Sequence, residues 1–532
     1  MLDRLKRVIE RFARSRAGSI APMFAIIGTF ALMPAVAVGV DVARGMTGRN
    51  NLQDSLDAAA LAVAHLPAGS SQATITSTAQ SWLNANLQNS GSLGPVTLTV
   101  TMGTQQVDLN AASTVTTSLG ALGSFGGLSQ LPVKAHSTVK WGLNHIELAM
   151  VLDNTGSMSD DNKLSSLQSA ASSLVDTLSA SATQSGDPNA LKIGVVPFSM
   201  TVNVGSTYQT ATWMSGAMPT AYGTDIFSTT GVNRFTLLKN MSTSWGGCVE
   251  SRPMPYDVQD TAPNASVPAT LFVPFFAPDE PDDYSIQYSS YSGNYDYKNG
   301  KYYYNFYNNY LADGTTSTNF STRQGNSGKY TSKPASGTHP YWGGAIGPNA
   351  GCQTAPLLRL TTTMSTVKTE LNAMVAAGDT EIPLGMMWGW HLLSPSAPFA
   401  DGAAYGAPNT IKIVVLVTDG QNTYGTGMNG NNNSAYTALG YVWQNRISTN
   451  AGDYSNPAAA LNDRLTKVCA NMKAAGVVVY TVPVEVTDTT IKSLLSGCAS
   501  SSDKYIDVSS SSQLQAAFNN IAGSISSLRI AN

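Results

Sequence analysis

Four stretches of the chain run almost continuously apolar: 146–152 (IELAMVL), 192–198 (KIGVVPF), 411–417 (IKIVVLV) and 477–484 (VVVYTVPV). Runs of this length without alternation predict strands buried on both faces, as in a parallel sheet. Between and after them, apolar residues recur at helical spacing over about 161–180, 361–376, 383–393, 458–475 and 511–526. Strands alternating with helices predict an α/β domain with a parallel sheet and right-handed crossovers. Asp419-Gly420 makes a tight turn out of the third strand, and Gly476 is placed to cap the helix before the fourth.

The pattern differs upstream. Residues 75–87 read as a short helix, and 96–102, QVDLNA and 131–143 alternate apolar with polar, as half-buried antiparallel strands do. Helix followed by a small sheet is pilin-like in outline, and a stalk domain without pilin relation fits equally. At 532 residues the chain is too long for one ordinary domain. The expected division is 1–16 (basic), 17–40 (transmembrane helix), 41–66 (helical extension), 67–142 (small α+β unit) and 144–527 (α/β domain), the last interrupted by 200–355. A structureless loop of that size is improbable inside a compact domain, so 200–355 reads as an inserted subdomain. Ten tyrosines fall between Tyr284 and Tyr310. They suit either a contact surface, since tyrosine gives large amphipathic area at low entropic cost, or a β-meander packed on itself.

The chemistry sits where the buried strands end. The first leads into Asp153-Asn154-Thr155-Gly156-Ser157, which spaces a carboxylate and two hydroxyls at i, i+2 and i+4. Thr380 follows in AAGDTEIPLG, and Asp419 directly after the third strand. A hard cation such as Mg2+ wants about six oxygens in near-octahedral geometry and gives up its waters reluctantly. Asp153, Thr155, Ser157, Thr380 and Asp419 would supply at most two carboxylates. The ion would stay electrophilic, with a position open to an acidic group of a partner. Mg2+ is the first expectation, with Mn2+ or Ca2+ as alternatives; five polar loop residues with no metal are the plain alternative. The D-x-[ST]-x-S loop, Thr380 and Asp419, with the strand–helix order around them, resemble a von Willebrand factor A domain with its metal-ion-dependent adhesion site. That resemblance covers about 144–200 and 356–527 and implies a doubly wound, mainly parallel sheet with the site at the carboxyl ends of the strands. It departs at Thr155, where many members carry Ser; both have a hydroxyl.

Composition narrows the partners. Charged residues are 12% and the net charge is −3, with no basic excess beyond the first sixteen residues, which speaks against nucleic acid. The four cysteines, Cys248, Cys352, Cys469 and Cys498, lack close C-x-x-C pairs and so do not read as a zinc site. Of three pairings, Cys248–Cys352 and Cys469–Cys498 are preferred, the first closing the insertion; four free thiols in a reducing compartment remain the alternative. The histidines (His65, His136, His145, His339 and His391) are scattered without zinc spacing, and no G-x-S-x-G, Walker loop or H-E-x-x-H occurs. Neither catalysis nor a small-molecule substrate is expected.

Residues 17–40 carry no charge, and 24 residues span about 36 Å as a helix, enough for a hydrocarbon core of ~30 Å. Six basic residues (Arg4, Lys6, Arg7, Arg11, Arg14, Arg16) precede them against Asp3 and Glu10, which places the N-terminus in the cytoplasm and the bulk outside, in the periplasm of a Gram-negative-type cell. A signal peptide cleaved at Ala35-Val36-Ala37 is the rival and exports the same bulk. The segment from RSRAGSIAPMF to DAAALAVA is similar to the N-terminus of TadE/TadG-like proteins of tight-adherence (Flp) pilus assembly, as are CVESR, FVPFFAPDEPDD, NNYLADG and LRIAN further on. In processed pilins of that group Glu stands five positions after the cleavage glycine; here Met23 follows Gly18, which speaks against cleavage and polymerisation as a major pilin. The resemblance implies a single-pass inner-membrane pilus-assembly component that binds other assembly proteins or pilins through their acidic groups. A surface-displayed metal-dependent adhesin is the alternative.

Overall fold

The computed structural model describes residues 33–530, except 65, 67–69, 88–92, 104–105, 119–128, 141–144, 184–186, 221–224, 283–294, 299–300, 305–306, 316, 318, 339–343, 426–431 and 448–456. Two compact units form, Met1–Gly142 and Leu143–Asn532. The expected basic segment 1–16 and residues 17–32 of the expected membrane span lie outside the described residues. Among the described residues, no helix is long and apolar enough to cross a membrane.

The first unit has two helices, α1 (Met33–Ala64) and α2 (Gln72–Leu87), and an antiparallel sheet of β1 (Thr97–Gly103), β2 (Gln106–Thr116) and β3 (Gln130–Lys140) in that order. The alternation read from the sequence is met on central β2, where Val107, Leu109, Ala111, Ser113 and Val115 are buried and their neighbours are not. α1 packs across β3 and β2 and buries Leu52, Leu56, Ala59 and Val63. Its first half leaves Val36, Val38, Val40, Val42 and Met46 exposed.

The second unit is a mixed α/β fold. Its labelled elements are β4 (His145–Asp153), α3 (Lys163–Thr183), β5 (Leu191–Phe198), β6 (Leu358–Thr361), α4 (Met364–Ala373), α5 (Ile382–Leu393), β7 (Thr410–Thr418), α6 (Pro457–Ala474), β8 (Val478–Pro483), α7 (Thr489–Cys498) and α8 (Leu514–Ile530). The sheet order is β6-β5-β4-β7-β8. β5, β4, β7 and β8 pair in parallel, and short β6 lies antiparallel on the edge beside β5. Alternate residues of each strand enter different cores. Leu148, Met150 and Leu152 meet α3, α4 and α8 on one face; Ala149 and Val151 meet α5, α6 and α7 on the other. Burial on both faces is why these strands read as unbroken apolar runs. The polar exception is a cross-strand ion pair, with Lys412 of β7 opposite Glu147 of β4 and its Nζ 2.6 Å from the carboxylate.

Every residue of α5 is buried. Its inner side lies close to the sheet because Gly385 and Gly389 face it: a Cβ at Gly385 would come within 2.5 Å of the Phe198 ring, and one at Gly389 within 2.4 Å of Val151 Cγ2. Its outer side is covered by the insertion between β5 and β6, where Phe272 packs on Trp388 at 4.8 Å between ring centroids, with Trp213 and Phe399 beside them. The insertion, which reads from the sequence as an inserted subdomain at the periphery, contributes aromatic residues to the core on the α5 face. It is rich in loops and buried ion pairs, such as Arg234 with Glu250 and Lys329 with Asp279, and Arg446 from the connection between β7 and α6 also pairs with Glu250. Disulfides join Cys248 to Cys352 within it and Cys469 of α6 to Cys498 at the end of α7. In the tyrosine-rich stretch Tyr295–Lys298 pairs with Lys301–Tyr304 as a hairpin, while 283–294 lie outside the described residues.

Candidate metal centre

Chain order places the site. After β4 the chain winds toward β5 and β6; it then returns to the other side of β4 and continues through β7 to β8. The direction therefore reverses between β4 and β7, and the loops leaving their carboxyl ends diverge around a crevice. Asp153 is the last residue of β4, and Asp419 follows Thr418, the last of β7. Open α/β sheets bind ligands at such a switch point.

Hydrogen bonds assemble the loops. Asp153 is buried, with one carboxylate oxygen accepting from the Thr155 amide at 2.8 Å and the other from the Thr418 hydroxyl at 2.6 Å. The Ser157 hydroxyl donates to Asp419 Oδ1 at 2.8 Å and lies 3.2 Å from the Thr155 hydroxyl. The loop before α5 is laced to the first by main-chain bonds, from the Ala377 amide to the Asn154 carbonyl and from the Gly156 amide to the Gly378 carbonyl. Gly378 has φ +81°, a conformation that suits glycine. Thr380 is buried; its amide donates to the Thr423 hydroxyl at 2.8 Å and its carbonyl accepts from the Thr423 amide at 2.8 Å. The structure thus brings Asp153, Thr155, Ser157 and Asp419 into one hydrogen-bonded cluster. It sets Thr380 on the adjoining loop, tied to the segment after Asp419. Gly156 and Ser157 are exposed and form the solvent side of the cluster.

The donor set fits a hard divalent cation. Two carboxylates and two hydroxyls meet with no histidine or thiol among them, the oxygen chemistry that Mg2+, Mn2+ or Ca2+ prefers. Burial foremost, and then the like charge of Asp419, push the Asp153 carboxyl well above the usual carboxylate range, against hydrogen bonds from Thr418 and Thr155. A bound cation would offset that repulsion. Among the described residues no group of three or more His, Cys, Asp or Glu comes together as a metal cluster, so a site here would rest on hydroxyls as much as on carboxylates. Two neighbours were not visible in the sequence. Thr418 orients Asp153 from the adjacent strand, and Lys163, the first residue of α3, places Nζ 2.9 Å from Asp419 Oδ2. No local motif marks either one.

A second polar cluster lies under α5. His391 Nδ1 is 3.3 Å from Asp260 Oδ1, and Asp260 also accepts from the hydroxyls of Ser394 and Tyr405. The residue types are those of a hydrolytic triad, but the order of contacts is not. Ser394 bonds the aspartate rather than the imidazole, and His391 Nε2 faces the Arg252 guanidinium at 3.5 Å. A base that activates a nucleophile must be within hydrogen-bond reach of it. Here the imidazole packs edge-on to Phe272 and Trp388 as a core residue. His145 pairs with Asp187, His136 lies 3.6 Å from Asp108, and His65 and His339 lie outside the described residues.

Residues 18–66 match the family model described as Flp pilus-assembly TadE/G-like. No curated protein sequence gives a match. Among solved structures, the chain is similar to the pilus adhesin SpaC from Lactobacillus rhamnosus GG, with 11% identity over 81% of this chain and 34% of that one, at a TM-score of 0.31. It is also similar to the vWF domain of the type V pili tip protein Mfa5 from Porphyromonas gingivalis, with 11% identity over 72% of this chain and 95% of that one (TM-score 0.32). A third is proximal thread matrix protein 1 from the mussel byssus, in a structure whose MIDAS motif is occupied by zinc; identity is 12%, coverage 71% and 47%, and the TM-score 0.28. The chain spans about a third of the length of SpaC, 34%. Likenesses this distant leave the site to be argued from the chain's own residues.

Proposed function

We propose that the chain is an envelope-anchored component of tight-adherence (Flp) pilus assembly, whose second unit is a von Willebrand A domain that grips an acidic group of a partner through a divalent cation. Asp153, Thr155, Ser157, Thr380 and Asp419 hold the ion, Mg2+ first among candidates. The observation that carries this reading is the meeting of two carboxylates and two hydroxyls from different loops at the sheet's switch point, with Ser157 open to solvent. The pilus context comes from the family match over residues 18–66. The apolar, uncharged 17–40 supplies the anchor, with the N-terminus cytoplasmic and the bulk periplasmic. The partner is another assembly protein or a pilin.

When bound, the cation supplies an electrophilic point for a carboxylate oxygen. The chain's own residues do the rest. Thr418 and the Thr155 amide fix the Asp153 carboxylate, Ser157 links the first loop to Asp419, and the loop of Thr380 is tied to both the first loop and the segment after Asp419. Calorimetric titration of the full-length chain in mild detergent with Mg2+ and Mn2+, beside Asp153→Ala, tests the reading. One saturable site abolished by the substitution supports it; a folded wild type that binds neither ion overturns it.

A further inference from the structure

We propose that Lys163 is the site's built-in counter-cation, which occupies Asp419 in the metal-free protein and must be displaced when a divalent ion loads. This rests on the reading of the five-residue metal centre above. Lys163 Nζ lies 2.9 Å from Asp419 Oδ2 and 3.4 Å from the Ser157 carbonyl, with the lysine side chain 12% exposed and the Asp419 side chain fully buried. Ser157 holds the other oxygen of Asp419. Both oxygens of this carboxylate are therefore bound by the chain's own donors, and an ion approaching Asp419 competes with an ammonium already in place.

The position of Lys163 supports a role in the site rather than in the helix. It is the first residue of α3, where the helix dipole disfavours a cation. The chain reaches it through a kink in which Asp161 and Asn162 both have positive φ, 49° and 56°, a region that non-glycine residues enter sparingly. The turn brings the lysine back over the loop of Ser157. Charge counting gives the consequence. Two ionised carboxylates and one ammonium put the cluster at −1 before loading, and a divalent ion that displaces the ammonium brings it to 0. Without Lys163 the same states would be −2 and 0. The lysine thus weakens loading by adventitious cations, because the cluster that meets them carries −1 rather than −2. Metal loading and release of the ammonium become one event.

The test is Mn2+ titration of the full-length chain and of Lys163→Gln, Lys163→Met and Lys163→Arg, read by calorimetry and by the rise in melting temperature on adding metal. Removing the charge should tighten Mn2+ binding roughly tenfold, the order expected for a partly buried ion pair. Lys163→Gln and Lys163→Met should melt lower than wild type without metal and gain more from it, while Lys163→Arg stays near wild type. Wild-type binding that is unchanged or weakened in Lys163→Gln and Lys163→Met overturns the counter-cation role and leaves the metal centre standing. Binding by none of the four overturns the metal centre and this inference with it.

Discussion

The Ser157 hydroxyl donates to the Asp419 carboxylate at 2.8 Å, although 262 positions separate the two residues in sequence. One leaves the end of β4 and the other the end of β7, adjacent parallel strands that place Leu152 opposite Val417. The contact marks where two loops that diverge around the crevice still touch, and it joins a hydroxyl and a carboxylate expected of the same metal centre.

Ser157→Ala removes a proposed metal ligand and the donor that orients Asp419 together. Because Ser157 is exposed, the metal-free fold should be barely disturbed. Mg2+ affinity should fall roughly 10- to 100-fold, as when partners that orient metal ligands are lost. Calorimetry with parallel melts checks this, and a fall in metal-free melting temperature as large as that of a core mutant would mean that Ser157 is structural.

Gly389 lets α5 lie against the sheet, since a Cβ there would fall 2.4 Å from Val151 Cγ2. Gly389→Ala should destabilise by about 1–3 kcal/mol through overpacking, despite alanine's better helix propensity. Chemical denaturation measures it. The paired Gly389→Ala, Val151→Ala variant should recover part of the loss.

These glycines illustrate which parts of the chain were legible. The strands read at 146–152, 192–198 and 411–417 are found at His145–Asp153, Leu191–Phe198 and Thr410–Thr418, because burial on both faces leaves an unbroken apolar run. The edge strand Leu358–Thr361 escaped notice: it is four residues long and none is buried. Helix Thr489–Cys498 escaped because its buried positions number only three, Ile491, Leu495 and Cys498. In the site, residues just after strands announce themselves by spacing. Lys163 and the Asp260–His391 pair do not, because their partners lie 256 and 131 positions away and no local pattern encodes such a contact.

Glu147 and Lys412 form a buried pair in the middle of the sheet, and Glu147 also accepts from the Ala403 amide. Lys412→Met leaves a carboxylate in the core with only the more distant Lys192, 3.5 Å away, as counter-charge. A loss of about 3–5 kcal/mol is expected in denaturant unfolding. The double replacement Glu147→Leu, Lys412→Met should lose less than Lys412→Met alone, since it removes the orphaned charge.

The two disulfides should contribute unequally. Cys248 and Cys352 are 104 positions apart and Cys469 and Cys498 only 29. Loop-closure entropy gives about 4.7 kcal/mol for the longer loop and about 3.6 for the shorter. Paired Cys→Ser variants, compared in denaturant melts of the full-length chain, should show the larger loss for Cys248/Cys352. Equal losses would mean that local packing, not chain entropy, sets the contribution.

Acid should weaken the α5 side of the core through His391. Burial foremost holds this imidazole below its ordinary value; the Asp260 hydrogen bond opposes the shift, and the Arg252 charge adds to it. The unfolded chain, with a histidine near pH 6.5, then binds more protons than the folded one below that pH, so stability contributed here is complete above about 6.5 and is lost as pH falls toward the folded value. Asp260 is also buried, which alone would raise it, but the hydrogen bonds and charge of His391 and the hydroxyls of Tyr405 and Ser394 together hold it below the usual carboxylate range. Its contribution is present above about pH 3.9 and disappears only below that. Between pH 7.5 and 5 the histidine alone of this pair acts. Asp153 and Asp279, buried carboxyls pushed up to about 7 and about 6, respond in the opposite sense in both proteins. The readout is therefore the difference: relative to His391→Gln, whose side chain does not titrate, the wild type should lose melting temperature as pH falls over that interval, even though the variant starts lower at pH 7.5. Parallel curves would place the acid sensitivity elsewhere in the chain.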